Sequence, residues 1–407
     1  MKHRENIMIN GSITVFDLAK NHPAAFSLFV SKGFDDFKKD AMLNSAGKFL
    51  KLETAIKQKN YDIKTFLDSL NEIDTNNDAK VDITLREKKK DGDITVKGLL
   101  PCPVRLPLLE AVDAFAQGVT EKTGLSVATD LIAASGGQQW LADNVEGITA
   151  ENVPDVFVSA GFDVFFDERS FGKHVKSGMF RDMTGECHSY FSEMKDPKGN
   201  YGMVGVVPAV FLVNKDVLNG REVPKGWADL LKPEFEKSVS LPVGDFDLFN
   251  ALLVHIHRMF GDEGVEKLAK SMVQSMHPAQ MVKNAGRKTE DKPAVTIMPF
   301  FFTKMLFGSK SAEMVWPEEG SIVSPIFMLT RKDREEVTQP VADFLYSKEV
   351  GEILAHRGLF PAMNREVDNR LPEGAKFYWA GWDYIYSTDM GKLLEKLNAD
   401  FNAALEA

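Results

Sequence analysis

The feature that most constrains the fold is a change of pattern near residue 94. From there on, short apolar runs rich in Val, Ile and Leu alternate with segments of helical periodicity. Asp93-Ile94-Thr95-Val96-Lys97-Gly98-Leu99-Leu100 reads as a strand. It ends near Pro101, because two prolines flanking one residue cannot continue a sheet ladder. Residues 106–124 then show helical periodicity, with Gly124 as the stop. SVATDLIAA and ENVPDVFVSAG supply a second and a third strand. VVPAVFLVNK, SVSLPVGDFD, AVTIMPFFF and SIVSPIFMLTRK read as later strands, with helices between them. Strands separated by helices of this length indicate a parallel, helix-covered sheet. No internal repeat is visible. A chain of 407 residues exceeds one ordinary core, so two α/β lobes fit the length best.

Residues 1–72 follow another rule and predict an all-helical domain. Thr14 caps a short helix, VFDLAKN. Pro23 sits early in PAAFSLFVSK, which Gly33 ends. Leu50, Leu52, Ala55 and Ile56 suit another helix, and Asp62 caps IKTFLDSLNEI. Helices this short are marginal alone and must pack on one another. Residues 73–93 are polar and read as a linker. Within them DTNNDAKVDITL has oxygens at Asp74, Asn76, Asp78 and Asp82, but Ala79 and Leu85 stand where a calcium loop needs Gly and Glu. The expected division is a helical domain at 1–72, a linker at 73–93, the first part of lobe 1 at 94–205, lobe 2 at 206–320, and a return crossing with closing helices, mainly lobe 1, at 321–407.

Composition excludes several classes. The net charge of −10 argues against a nucleic-acid partner, which needs clustered Lys and Arg. Lys88-Lys89-Lys90 is short, flanked by acids, and reads as solvated linker. The longest apolar stretch, Gly202 to Val213, contains Pro208 and falls short of the ~18 residues a membrane span needs, so no insertion is expected. Two cysteines, Cys102 and Cys187, exclude a disulfide scaffold. The start, MKHRENIMINGSITVFDLAK, runs from basic residues into Asn10, Gly11 and Ser12 without the apolar stretch of ~7–15 residues of an export signal. A cytoplasmic location with reduced thiols is therefore expected, export by an unrecognised route being the alternative.

In an open α/β sheet, ligands sit outside the carboxyl ends of strands. That rule selects Pro101, Cys102, Pro103 and Val104 in the first turn, Ser135, Gly136 and Gly137 in the second, and Ser159, Ala160, Gly161 and Phe162 in the third. From the second lobe it selects Gly244, Asp245, Phe246 and Asp247, then Pro299, Phe300 and Phe301. Gly and Ser there let backbone N–H groups and helix N-termini approach a ligand. Ordinary turn residues are the competing reading. Cys102, between its prolines, either meets a soft metal, a cluster or an organic ligand, or is a small buried hydrophobe. Cys187-His188 reads as structural, since adjacent residues seldom aim at one ion. His255 and His257, two apart on a helix, point in different directions. Asp163 and Asp167 read as a solvated helix face rather than an acid–base pair. No Gly-x-Ser-x-Gly elbow, phosphate loop or His-Glu-x-x-His is present.

Several phrases carry a family resemblance. NYGMVGVVPAVFLVNKDV is similar to a strand pair that crosses between lobes. VPKGWADLLKPEFEKSVSLP presents Pro224, Trp227, Asp229, Leu230, Leu231 and Pro233. VWPEEGSIVSPIFML, with Pro317, Glu318, Gly320 and Pro325, is similar to a return crossing. QPVADFLYSKEVGEILAHRGLFPAMN, with Phe344, Ser347, Gly358 and Pro361, is similar to closing helices. Together they resemble the type II solute-binding proteins of ABC transporters, in the iron(III)-and-relatives group, over about three quarters of the chain. The N-terminal unit, through Thr14, Val15, Pro23, Gly33, Phe34, Leu52 and Leu70, resembles a small helical domain found beside iron–sulfur repair and hybrid-cluster proteins. That domain carries cysteines after the Gly in the repair group, where this chain reads Phe34-Asp35-Asp36, so an interaction role is expected instead.

The resemblance implies a two-lobed type II periplasmic-binding-protein-like α/β fold with a hinge, plus the small all-α domain. The iron(III) relatives use paired tyrosines near Ile297-Met298-Pro299-Phe300-Phe301, where phenylalanine offers no oxygen. Ferric-tyrosinate binding is not expected, and an organic ligand facing Phe300, Phe301 and Phe302 competes with plain packing. The expected function is non-catalytic binding of a small-molecule or inorganic ligand between the lobes, with a membrane permease as partner. The alternatives are a cytosolic ligand or metal carrier or sensor signalling to a protein partner through the helical domain, and, last, an enzyme on the same fold. No cofactor, ligand identity or oligomeric state is legible, nor whether Cys102 or Cys187 binds a metal.

Overall fold

The structure, a computed structural model, describes residues 9–59 and 92–406 apart from 23–24, 27–28, 31–33, 39, 134–139, 142–143, 244, 276–291 and 307–310, together with 63, 66–67 and 70. It divides into two compact units, Met1–Arg86 and Glu87–Ala407.

In the first unit, helix α1 (Val15–Asn21) starts as its sequence dictates. Thr14 Oγ1 accepts the Asp17 N–H at 3.0 Å and donates to the Asp17 carboxylate at 2.7 Å. Helix α2 (Leu52–Gln58) buries Leu52, Ala55 and Ile56, one stripe of a helix. Thr14 and Lys51 pair as an antiparallel bridge, which ties the two helix starts together. An aromatic core fills the unit: Phe29 is fully buried, 4.0 Å from the Phe34 ring and edge-on to Phe66. Pro23, Gly33, Asp62 and residues 73–91 of the expected linker lie outside the described residues.

Among the described residues the second unit has ten strands. β1 (Ile94–Leu100) runs parallel to β2 (Val127–Ala133) and β3 (Val156–Ala160). β3 is antiparallel to β9 (Ser321–Thr330), and β9 is antiparallel to β4 (Gly202–Asn214). β4 changes partners halfway. Gly202–Pro208 pairs with β9, whereas Ala209–Asn214 pairs with β7 (Val295–Pro299) and, through Phe211–Asn214, with β8 (Ala312–Val315). β7 continues in parallel to β5 (Val239–Leu241), and β5 to β6 (Met272–Ser275). β10 (Phe377–Tyr378) runs beside the start of β9.

The two expected lobes are thus two sheets that share β4, and the hydrogen-bonded path runs unbroken from β2 to β6. The sheets are mixed rather than parallel, because β4 and β9 are the crossing strands and run against their neighbours. Both crossings are apolar and almost wholly buried. Trp227 is fully buried, edge-on to Phe211 at 4.8 Å, and its Nε1–H donates to the Gly320 carbonyl at 2.9 Å. That bond holds the turn leading into β9.

Helix α3 (Arg105–Thr123) follows β1, and Gly124, left-handed at φ 75°, caps it. Helix α4 (Phe246–Ser271) follows β5 and breaks at Gly261, which adopts φ 67°. Helix α5 (Glu335–Leu345) covers the first sheet. Helix α6 (Trp382–Ser387) leads into α7 (Met390–Glu406), which lies along α4 with Phe401 edge-on to Phe249 at 5.0 Å. α7 touches the first lobe as well, through the 2.7 Å pair of Glu395 with Arg169. Among the described residues no helix is long and apolar enough to cross a membrane.

Two glycines of the first lobe separate backbone clash from backbone freedom. A Cβ on Gly98 would stand 1.8 Å from the Val158 carbonyl oxygen, whereas a Cβ on Gly118, inside α3, meets nothing within 4 Å. Gly98→Ala is expected to cost more than about 3 kcal/mol by prising β1 from β3. Gly118→Ala should gain about 0.5–1 kcal/mol. Urea denaturation of both variants checks the contrast.

Candidate functional site

The parallel strands β1, β2 and β3 present their carboxyl ends at one edge, and β5 and β7 do the same in the second lobe. Helices α3 and α4 begin at those edges. Two contacts bring the turns of opposite lobes together.

The first runs through Phe360. Cys102–Val104 forms a 3-10 turn between β1 and α3, closed by the Val104 N–H donating to the Pro101 carbonyl at 3.1 Å. A Cβ on Gly358 would lie 2.7 Å from Val104 Cγ1 and 2.4 Å from the Phe360 ring, so bare backbone is needed there. The next residue, Leu359, holds φ 49°, a left-handed conformation that costs a branched side chain energy. Phe360 then faces Phe301 of the second lobe, with centroids 6.2 Å apart at 26°. Phe302 stands edge-on to Phe301 at 5.2 Å.

The second contact is direct. Gly161 follows β3 with φ 102°, and its N–H donates to the Pro325 carbonyl of β9 at 3.1 Å. A Cβ there would stand 2.7 Å from Asp247 Oδ1, so the carboxylate of the second lobe lies against the glycine of the first. Asp247 sits in the first turn of α4, where helix amides favour negative charge. Asp245 precedes α4. Burial pushes its carboxyl up to about 6, while the Leu248 N–H pulls in the opposite direction.

These contacts sort the residues expected from the sequence. Gly161 and Asp247 meet, and Val104 lies beside Gly358, two residues before the Phe360 that faces Phe301. Pro103 is half-buried on its turn, and Pro101 is buried at its start. Others need correction. Ser159, Ala160 and Pro299 are strand residues rather than loop residues. Ser159 donates to the Ala160 carbonyl, and Pro299 is paired with Ala209. Phe300 belongs to a core cluster with Val210, Leu212 and Met298, edge-on to Trp316, because its ring turns inward as β7 ends. Val104 and Phe162 are fully buried, packed between elements. Ser135, Gly136, Gly137 and Gly244 lie outside the described residues, as do the side chains of Cys102 and Phe246. By backbone, Cys102 opens the 3-10 turn and Phe246 opens α4.

The remaining chemistry-bearing groups have structural partners. His255 and His257 do face different ways: Nδ1 of His255 bonds the Ala251 carbonyl at 2.6 Å, and Nδ1 of His257 bonds the Tyr384 hydroxyl at 2.7 Å. The backbone of Cys187, a free and half-buried cysteine, forms an isolated antiparallel bridge with Asn364, and His188 Nε2 meets the Val367 carbonyl at 2.9 Å. The Arg169 guanidinium holds the Asp167 carboxyl below the usual range. Among the described residues no group of three or more His, Cys, Asp and Glu is placed to hold a metal. The sequence reading did not reach Leu359 and Phe360, because a left-handed φ and a ring-to-ring approach leave no local signal.

With the geometry in place, residues 151–388 match the bacterial extracellular solute-binding protein family, and residues 9–67 match a domain of unknown function. The periplasmic binding protein AfuA of Actinobacillus pleuropneumoniae, with exogenous fructose-6-phosphate bound, aligns with a TM-score of 0.54 at 15% identity, over 76% of this chain and 98% of that one. The apo ferric ion-binding protein A of Pasteurella haemolytica gives 0.54 at 14% identity, over 76% and 97%. The ferric binding protein of Campylobacter jejuni gives 0.52 at 12%, over 77% and 99%. At such identities the likeness shows the fold alone, and it bears out the type II expectation. No curated protein matches the chain.

Asp245 makes the site pH-dependent. Its folded pKa of about 6 lies above the ordinary 3.8, so its share of stability is full below about pH 4 and is lost as pH rises through 6. Asp245→Asn keeps the side chain's size at the N-cap position of α4 and removes the charge. Chemical denaturation should find the variant roughly 2–3 kcal/mol more stable than wild type at pH 7.5 and equal to it at pH 4.

Proposed function

The chain belongs to the bacterial extracellular solute-binding protein family, and from that premise we propose that it closes two lobes on a small solute and delivers it to a membrane permease. The single observation that supports this reading is the close approach of Asp247, in the first turn of α4, to Gly161, in the turn after β3. The family and fold are those of non-catalytic binding proteins. A ferric ion held by tyrosinates at residues 299–301 does not fit this site. Phe300 is in the core, and Phe301 turns a ring without oxygen toward Phe360. Closure follows the usual logic of two lobes whose contacts form only together.

Gly161→Val tests it. The new side chain would displace the Asp247 carboxylate and oppose φ 102°. Native mass spectrometry of wild-type protein, purified anaerobically without added ligand, should show a retained small mass that the variant loses, while circular dichroism stays unchanged. Equal retention by both would sink the role of this contact.

A second reading rests on the separate compactness of Met1–Arg86 and its own family match. In it the chain is a carrier inside the cell whose helical unit passes the bound state to a protein partner. Cell fractionation separates the two, a periplasmic pool favouring the receptor. On either reading, removing residues 1–86 should leave solute retention within about twofold of wild type, because Gly161 and Asp247 both belong to the separately compact unit Glu87–Ala407.

A further inference from the structure

The helical unit carries an exposed ring at a turn that is otherwise tied down. Among the described residues Phe49 is 85% exposed, against 44% for Tyr190 and 38% for Met42 and Leu405. Two of these four large apolar side chains, Met42 and Phe49, lie within one short stretch of the first unit. A 3-10 turn, Ala46–Lys48, ends at Phe49, whose N–H donates to the Ala46 carbonyl at 3.1 Å. The Leu50 N–H donates to the same oxygen at 2.9 Å. Just beyond, Lys51 bridges to Thr14, and the N–H of the buried Leu52 donates to the Ile13 carbonyl at 2.9 Å. Before the turn, Gly47 is buried, and a Cβ on it would press on Leu43 at 3.2 Å. Phe49 therefore projects from a fixed backbone rather than from a frayed end.

The charge around this ring differs from that of the whole chain. Residues 45–59 carry four lysines, Lys48, Lys51, Lys57 and Lys59, against one acid, Glu53, in a chain of net charge −10. Lys48 and Lys51 flank Phe49 and are exposed. Lys48 Nζ stands 5.0 Å from the centroid of the half-buried Phe16 ring of α1, which holds the cation near the turn. A ring that projects between cations is convex, so it offers no groove to a peptide or a helix. It matches a surface that is negative outside and apolar beneath, as an anionic bilayer is. The acidic bulk of the chain is repelled by such a surface, so the local lysine excess decides which side faces it.

We propose that Phe49 is a membrane-surface anchor: its ring enters the headgroup layer of an anionic bilayer while Lys48 and Lys51 meet the lipid anions. A peripheral contact of this kind needs no spanning helix, and none occurs among the described residues. One ring and a few lysines give a weak, reversible and salt-sensitive attachment, not a permanent one. The anchor does not depend on the solute reading, because the ring lies in Met1–Arg86, which has its own family match. On the receptor reading, the attachment raises the concentration of the protein beside its permease.

Flotation of the full chain tests the anchor, with vesicles of mixed phosphatidylglycerol and phosphatidylcholine and with phosphatidylcholine alone. Wild type should bind the mixed vesicles at about 50 mM salt and lose most of that binding at about 500 mM, where screening is strong. Phosphatidylcholine alone should bind at least about tenfold less. Phe49→Ser should lower binding to the mixed vesicles about tenfold or more, and Phe49→Trp should keep it. Neither should move the thermal midpoint, since the ring is exposed. Lys48→Gln and Lys51→Gln should each lower binding about fivefold. Leu405→Ser removes an exposed apolar side chain from α7 and should change nothing. A wild type that stays off the mixed vesicles at low salt overturns the anchor. So does a Phe49→Ser variant that binds as wild type does, or a Leu405→Ser variant that loses as much. If neither protein floats and sedimentation velocity shows wild type self-associating while Phe49→Ser stays monomeric, the ring serves a second copy of the chain, and the anchor is again overturned.

Discussion

The structure depends on one strand that serves two sheets. β4 gives its first half to β9 and its second half to β7 and β8, and Pro208 stands at the exchange. Proline has no N–H to donate, so it suits the point where one ladder ends and another begins. Pro299 sits opposite Ala209 and Pro325 opposite Val206, within two residues of the same point. Three prolines thin the backbone hydrogen bonding at the crossing while the side chains around it stay buried. A crossing held by apolar packing more than by ladder bonds can bend without breaking the sheets on either side. The same packing anchors its surroundings, as Trp227 shows by reaching from the second lobe to the Gly320 carbonyl at the start of β9.

Helix α4 connects this crossing to the cleft. Its first turn meets Gly161, its middle lies under Phe162, and its flank carries α7. Because a helix is stiff over this length, the cleft contact at Asp247 and the buried cluster at His255 move as one body. The break at Gly261 comes after both, so the last turns of α4 can follow β6 without disturbing them. Glu395 with Arg169 and Lys396 with Asp262 add exposed ion pairs around α7, which position it but contribute little on their own.

Local signals were legible in the sequence, and non-local ones were not. Pro101 ended β1, Gly124 capped α3 and Thr14 capped α1, because each is decided by residues within one turn. The crossing segments were visible as long apolar runs. Their partners were not, since a strand does not announce which neighbour takes which half of it. The same limit governs the cleft. Phe300, Phe301 and Phe302 are equivalent as letters, and only the way the chain leaves β7 sends Phe300 into the core and Phe301 toward Phe360. Gly161 and Asp247 were each legible as turn and helix-start residues, 86 positions apart, but their contact depends on how the sheets meet.

Some unfavourable features of this fold lie near the contact of its lobes. Asp245 is a carboxyl held in poor solvation, Leu359 is a branched residue at φ 49°, and His255 and Trp379 carry unmet nitrogens. Such features also occur elsewhere: among the described residues Ser324 Oγ on β9 is buried without a partner, and Asn219, Lys237 and Arg370 hold positive φ as Leu359 does. Strain of this kind persists only where surrounding structure over-determines it, and it marks the parts of a protein that must change state. Lobe contacts made of well-satisfied groups would hold the protein shut whether or not a solute was present.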